Sequence, residues 1–514
     1  MFELLGITPQ ALTSQVLIGL INGSFYALLS LGLAVIFGLL NVINFTHGAQ
    51  YMLGAMFTWI GLTQLGGWLD MPEFQLNYFV ALLVAPLLVG LLSIVLEKTM
   101  LKRLYHLDHL YGLLLTFGLA LILEGLFRHW FGVLGNSYPV PEVLEGGLRV
   151  SGLFLPYYRL WVVALALIVC FATWYFIERT KLGSLLRAGT ENPRLLQALG
   201  VNVPLIITLT YGAGCALAAF AGVMAAPVYQ VTAVMGSNLI IVVFAVVVIG
   251  GMGSIAGAIV TGLGLGVVEG LTKVFYPQAS SVSMWGVTPE IGVLLGFFAS
   301  IALGYVFGAL AIRRQGIYFA MITLALAQVV YFIATQVPFT KGEDGIQGVP
   351  RGVFLGIFDL SPSTSMYYFA LAVFALAFFF IQRIVHSPFG QVLKSIRENE
   401  PRAISLGYNV DRYKLIAFTL SAGLAGLGGA LKSLVLQLAS LGDVFWHTSG
   451  EAVLMTILGG IGTFWGPIAG AAVIVNLQNY LANLGGWSTI ATGFIFVVCV
   501  LAFRRGIVGE IAHR

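Results

Sequence analysis

Residues able to do chemistry are scarce in this chain, and they fall into three groups. The first is a set of carboxylates inside apolar runs. Glu124 and Glu269 are each followed four residues later by a base, Arg128 and Lys273. Acid before base at this spacing is the favourable order on a helix face, so the pairs suit structural ion pairing. A carboxylate held in a membrane also suits a proton or sodium relay. Both pairs lie near the ends of their runs and neither recurs elsewhere, which weighs against a relay. The second group is the polar run at residues 41–50, Asn-Val-Ile-Asn-Phe-Thr-His-Gly-Ala-Gln, between two apolar stretches. It carries amides, a hydroxyl and an imidazole but no formal charge. It reads either as a short turn or as a broken helix lining a watery path, where irregular backbone is tolerated in a membrane. On the second reading Asn41, Asn44, Thr46, His47 and Gly48 are pathway candidates. Tyr318 and Thr323 are further candidates, although their spacing of five scatters them around a helix and favours packing or interfacial anchoring.

The third group is a charged segment that occurs twice, at residues 181–203 and 388–410. Gly183, Glu191, Asn192, Gly200 and Asn202 recur 207 positions later as Gly390, Glu398, Asn399, Gly407 and Asn409. The pattern predicts a short helix with Glu and Asn at its start, where the helix dipole favours an acid. Gly200 or Gly407 would end it in the left-handed conformation. Such a knob would fit a groove on another protein.

Several chemistries find no footing. There is no Walker A sequence, no HExxH and no GxSxG. Cys170, Cys215 and Cys499 each sit inside an apolar run without CxxC spacing, as small buried hydrophobes do. No catalytic, cofactor-binding or metal-binding residue is expected, and the chain is not expected to be an enzyme.

The elements that must hold these residues are membrane spans. Charged residues make up 9% of the 514 residues, against roughly 25% in soluble proteins. Apolar residues make up 59%, and a soluble chain of this kind would leave large apolar patches in water. The runs are solidly apolar rather than alternating, which excludes a β-barrel. Lipid offers backbone groups no partners, so each run must be helical. Apolar runs lie at about 12–40, 49–66, 76–97, 111–131, 160–178, 206–227, 237–252, 255–275, 289–311, 317–336, 366–384, 414–437, 447–460, 463–483 and 487–503. The expected fold is therefore an all-α polytopic membrane protein with about fifteen spans.

With the N-terminus outside, eighteen of the 25 Lys and Arg fall in inside loops. The positive-inside bias places both charged loops in the cytoplasm, together with the C-terminus. It also accounts for the net charge of +4 without a nucleic-acid partner. Residues 1–10 lack the basic region of a cleaved signal peptide. After each charged loop come a span rich in small residues, a glycine turn and another such span. The turns are Gly250-Gly-Met-Gly-Ser-Ile-Ala-Gly and Gly459-Gly-Ile-Gly-Thr-Phe-Trp-Gly. Glycines four apart, such as Gly262, Gly266 and Gly270, let membrane helices approach closely. The same parts recur in the same order and on the same side, so the chain divides into two pseudo-symmetric halves, 1–280 and 281–514.

These residues resemble a known family. Residues 39–55, with their Asn-Phe-Thr-His-Gly core, resemble one permease subunit of the bacterial branched-chain amino acid ABC importer. Residues 316–328, 342–351 and 389–431 resemble the other. The chain looks like a fusion of both, and the family also serves urea and short amides. Spans expected at the end of the first subunit and the start of the second have no counterpart between residues 271 and 289, so the fusion looks shortened at its seam. The resemblance implies an inner-membrane permease whose repeated loop docks on two ATPase subunits in the cytoplasm, with substrate delivered by a periplasmic binding protein. The implied coupling residues are Glu191, Asn192, Pro193 and Gly200, and Glu398, Asn399, Glu400, Pro401 and Gly407. The alternatives are an ion-coupled secondary amino acid carrier and a shortened fusion that no longer transports.

Overall fold

The computed structural model describes residues 9–40, 44–68, 71, 76–105, 109–150, 153–191, 193–251, 253–275, 289–314, 316–336, 340, 345–354, 358–481 and 485–502. Each of the fifteen apolar runs is a helix. In the first part of the chain these are α1 (Pro9–Leu40), α2 (Thr46–Thr63), α4 (Tyr78–Thr99), α5 (His109–Phe131), α6 (Tyr157–Arg179), α9 (Val203–Ala225), α10 (Met235–Gly250) and α11 (Ile255–Phe275). The rest are α12 (Pro289–Ala311), α13 (Ile317–Gln336), α14 (Ser363–Val385), α17 (Val410–Leu436), α19 (Trp446–Gly459), α20 (Gly466–Leu481) and α21 (Gly486–Ala502). Shorter helices lie between them: α3 (Leu65–Trp68), α7 (Lys181–Glu191), α8 (Pro193–Ala198), α15 (Pro388–Glu398), α16 (Glu400–Ser405) and α18 (Leu441–Val444). Among the described residues, nine helices are long and apolar enough to cross a membrane, and three shorter apolar helices lie at residues 235–250, 255–268 and 487–501. The chain is an all-α polytopic membrane protein.

The segments between the spans are not all irregular. Residues 147–150 and 153–156 form an antiparallel hairpin, β1 (Gly147–Val150) with β2 (Leu153–Pro156). Two further small pairs join β3 (Ile346–Gln347) to β6 (Leu438–Ala439) and β4 (Val353–Phe354) to β5 (Phe358–Asp359). Arg351 has an internal task. Its guanidinium donates to Leu434 O, Val435 O and Ser361 O, satisfying carbonyls at the end of α17.

Packing divides the chain into two compact units, Met1–Pro277 with Ser449–Arg514, and Gln278–Thr448. The repeat assigns residues 449–514 to the second half, but their packing partners lie in the first unit. Gly118 on α5 and Gly493 on α21 touch: a Cβ on Gly493 would stand 2.7 Å from Gly118 O. Within the first unit α1 is the central helix, with Leu28, Leu31, Leu33 and Ile36 fully buried. It is packed backbone to backbone against α11. A Cβ on Gly266 would lie 2.3 Å from Gly19 O and Gly23 N, and one on Gly262 would lie 2.6 Å from Ala27 Cα. The glycine spacing thus does what small residues do in membranes, where close van der Waals contact drives association.

Both glycine turns have one construction. Gly251 and Gly253 in the first, and Gly460 and Gly462 in the second, have positive φ. A Cβ on Gly257 would meet Gly250 O at 1.8 Å, and one on Gly459 would meet Gly466 O at 1.7 Å. Only glycine admits this combination of turn and crossing.

Candidate functional site

The two charged loops fold alike. Each is an eleven-residue helix followed by a six-residue helix, α7–α8 in one half and α15–α16 in the other, with a break at Asn399 in the second. Both end in a Schellman motif. Gly200 N–H donates to Gln197 O and Val201 N–H to Leu196 O; Gly407 N–H donates to Ile404 O and Tyr408 N–H to Ala403 O. The terminating glycines have φ of +82° and +88°. Two residues further on, Asn202 and Asn409 cap the following span, accepting from Leu205 N and Arg412 N at 3.2 Å. Gly183 and Gly390 lie against the preceding span, where a Cβ would stand 2.0 Å from Ile177 O and 2.4 Å from Val385 O.

One detail of the expected knob is different. Glu191 and Glu398 close the longer helices rather than opening the short ones. Asn399 is the N-cap of α16, accepting from Arg402 N at 3.1 Å, and Glu400 stands in its first turn, paired with Lys414 at 2.8 Å. An Asn side chain that accepts backbone N–H bonds favours breaking the helix, so the chain restarts there. Glu398, Asn399, Pro401 and Gly407 are exposed, and Pro193 is exposed at the start of α8. Asn192 lies outside the described residues. Ile404, Leu406 and Tyr408 are exposed beside the charged groups, as are Leu195 and Leu199 in the first loop. The result is an apolar tip on each loop, flanked in the second by the exposed Glu398 and Arg402.

Residues 44–50 are buried rather than a surface turn. Asn41 lies outside the described residues, and α2 begins at Thr46. Asn44 and His47 have no exposed surface, Thr46 and Gln50 almost none, and Gly48 is buried. His47 Nε2 bonds to Leu29 O on α1 at 2.9 Å. Gln50 Nε2 donates to Thr46 Oγ1 at 3.2 Å and to Ser93 Oγ on α4 at 3.1 Å, while its Oε1 accepts from Asn44 Nδ2 at 3.4 Å. The Thr46 hydroxyl bonds Asn44 Oδ1, and Phe45 N–H donates to Thr116 Oγ1 at 3.1 Å. Gly48 permits the crossing with α10: a Cβ there would lie 2.5 Å from Gly236 O. His47 Nδ1 and the Tyr51 hydroxyl, one turn apart on α2, are buried without a hydrogen-bond partner.

Tyr318 and Thr323 lie on α13 in the other compact unit. Tyr318 is 42% exposed, and the Thr323 hydroxyl donates back to Ala320 O of its own helix. Sequence reasoning missed the carboxylate that belongs to the cluster. Glu97, 1% exposed near the end of α4, accepts from Tyr105 and from Thr208 on α9, both at 2.8 Å. Its neighbour Lys98 made the position look like an ordinary charged helix end. The usable signal was Ser93, one turn earlier on the same helix face.

The family described as "Branched-chain amino acid transport system / permease component" matches residues 15–287 and again residues 271–503. The chain is 31% identical over 281 residues to the high-affinity branched-chain amino acid transport system permease protein BraD of Pseudomonas aeruginosa, covering 53% of this chain and 90% of that protein. It is 26% identical over 290 residues to LivM of Salmonella typhimurium, covering 48% of this chain and 67% of that protein. Identity to LivH of the same organism is 27% over 275 residues, with 51% and 86% covered. No solved structure matches the chain. A family match that recurs over both halves, on a chain of apolar helices with twin loops, leaves one assignment: the chain belongs to the branched-chain amino acid transport permease family, with the permease unit present twice.

Proposed function

We propose that the chain forms the membrane pathway of an ATP-driven importer for branched-chain amino acids, its two halves, residues 1–280 and 281–514, acting as the two half-permeases. Each charged loop docks one ATPase subunit in the cytoplasm, and a periplasmic binding protein delivers the substrate. The N-terminus faces the periplasm and the C-terminus the cytoplasm of an inner membrane. The observation that carries this reading is the shared construction of the two loops: an eleven-residue helix, a six-residue helix and a Schellman glycine, once per half. A like device on each half suits two motors. ATP-driven closure of the motors would rock the helix bundles and open the pathway alternately to each side.

The segment from Asn44 to Gln50 is the proposed lining of the pathway in its closed state. The unpartnered His47 Nδ1 and Tyr51 hydroxyl support this, since buried polar atoms normally have partners and each missing one calls for an explanation. In an open state, water or the polar end of the substrate would supply it.

The test is charge reversal on the exposed loop tip. Losing or inverting a hydrogen-bonded charge in an interface costs roughly 2–5 kcal/mol, and each 1.4 kcal/mol is about tenfold in affinity. Glu398→Arg should therefore reduce co-purification of the ATPase subunit by at least about tenfold, with the permease still inserted in the membrane. Full ATPase stoichiometry and full uptake with Glu191→Arg and Glu398→Arg combined would reduce the loops to solvated connections.

A further inference from the structure

We propose that Glu97 is a positioning residue that ties the first coupling loop to the polar pathway segment. This inference rests on the coupling role proposed above for that loop. The carboxylate is almost wholly buried, and its two oxygens each take one hydroxyl, from Tyr105 beyond the end of α4 and from Thr208 on α9. Thr208 stands six residues after Asn202, the cap at which the loop ends and α9 begins. One turn up the same face of α4, Ser93 accepts from Gln50, which also bonds Thr46 and Asn44. Residues four apart on a helix share a face. One rigid turn of α4 thus holds the start of α9 at one end and the start of α2 at the other.

A membrane helix pair packed only through methyl groups slides without losing a directional contact. A buried carboxylate held by two hydroxyls does not, because displacing either donor leaves a desolvated oxygen. Movement of the loop that rotates the start of α9 is therefore carried through Thr208 and Glu97 to Ser93 and Gln50. Among the described residues, the second half shows no such tie. Gly304 on α12 faces Thr419 and Ala422 on α17 as Gly90 on α4 faces Gly212 and Ala216 on α9. Seven residues beyond each glycine stand Ala311, fully buried, and Glu97. Thr208 corresponds to Leu415, at the interval that separates the two loops. The device is built into one half only, so the two loops transmit unequally.

Amide hydrogen exchange on the full chain in lipid nanodiscs tests the tie without any partner protein. Glu97→Leu removes both contacts. Thr208→Val removes one with the same shape, in case Glu97→Leu misfolds. Glu97→Gln keeps a carbonyl acceptor and serves as the conservative control. Exchange at residues 44–52 should rise about tenfold in Glu97→Leu and Thr208→Val, stay near wild type in Glu97→Gln, and stay unchanged at residues 410–420 in all three. Exchange at 44–52 that is unchanged in Thr208→Val, or a rise spread evenly over both halves, would overturn the tie. In vesicles with ATPase and binding protein, Thr208→Val should keep ATP hydrolysis and lose at least about tenfold in leucine uptake. Absence of uptake in wild type would instead count against the importer reading, leaving the exchange result to judge the tie.

Discussion

Asp443 carries a pH dependence that can be worked out in full. Partial burial alone would raise its carboxyl, but the Lys432 ammonium and the Ser440 N–H and hydroxyl outweigh this and hold it below the usual carboxylate range. A carboxyl lowered in the folded state binds protons less readily there than in the unfolded chain, so its contribution is present above its ordinary value of 3.8 and is lost as pH falls through the lower folded value. Lys432 and Asp443 are 48% and 31% exposed, so the pair contributes about 1 kcal/mol or less. Asp443→Asn should lower the protection of residues 438–445 against amide exchange two- to fivefold at pH 6, with the difference from wild type shrinking as pH falls below 3.8. A difference that persists undiminished at pH 3 would contradict the assignment. The same capping box, Ser440 with Asp443, was not singled out in the sequence because the helix it opens has only four residues.

At the scale of elements, the two halves reuse parts with different fillings. In the second loop Ile396, Ala403 and Val410 form a small core; 207 positions earlier stand Gly189, Leu196 and Val203, all buried. The bulk has moved from the first position to the second while the last is unchanged, a volume-conserving exchange of the kind cores tolerate. Small-residue faces show a sharper contrast. On α9, Ala218, Ala221, Gly222 and Ala225 are buried, and a Cβ on Gly222 would stand 1.9 Å from Tyr51 O of α2. Their counterparts on α17, Ala425, Gly428, Gly429 and Lys432, are exposed, and nothing lies within 4 Å of a Cβ on Gly429. Gly222→Ala should therefore force α2 from α9 and cost at least about 1–3 kcal/mol. Gly429→Ala should be neutral or stabilising by up to about 1 kcal/mol, the difference in helix propensity. Thermal unfolding of the two variants in detergent checks this; equal destabilisation would contradict it.

The spans and twin loops were legible in the sequence because lipid forces long apolar runs into helices and because charge is costly there, so the charged repeats stand out. The buried polar segment before and at the start of α2 was legible only as a question. Its composition suits a turn, and the choice of helix from Thr46 onward depends on partners 43 to 171 residues away, Ser93 and Cys215 among them. Glu97 was hidden for the same reason: its hydroxyl partner Thr208 is 111 residues distant. The packing of α21 against α5 was also invisible, since a repeat reveals shared ancestry of parts and not which part touches which.

At the scale of the whole molecule, the central claim is that this doubled permease works only when two motors grip its loops. The direct measurement is uptake of labelled leucine into proteoliposomes holding the chain, with its ATPase subunits and ATP inside and the binding protein outside. Uptake should require all three, and should fall at least about tenfold with Glu398→Arg. Leucine uptake driven by an ion gradient in vesicles without ATPase would contradict the account and make the chain a secondary carrier.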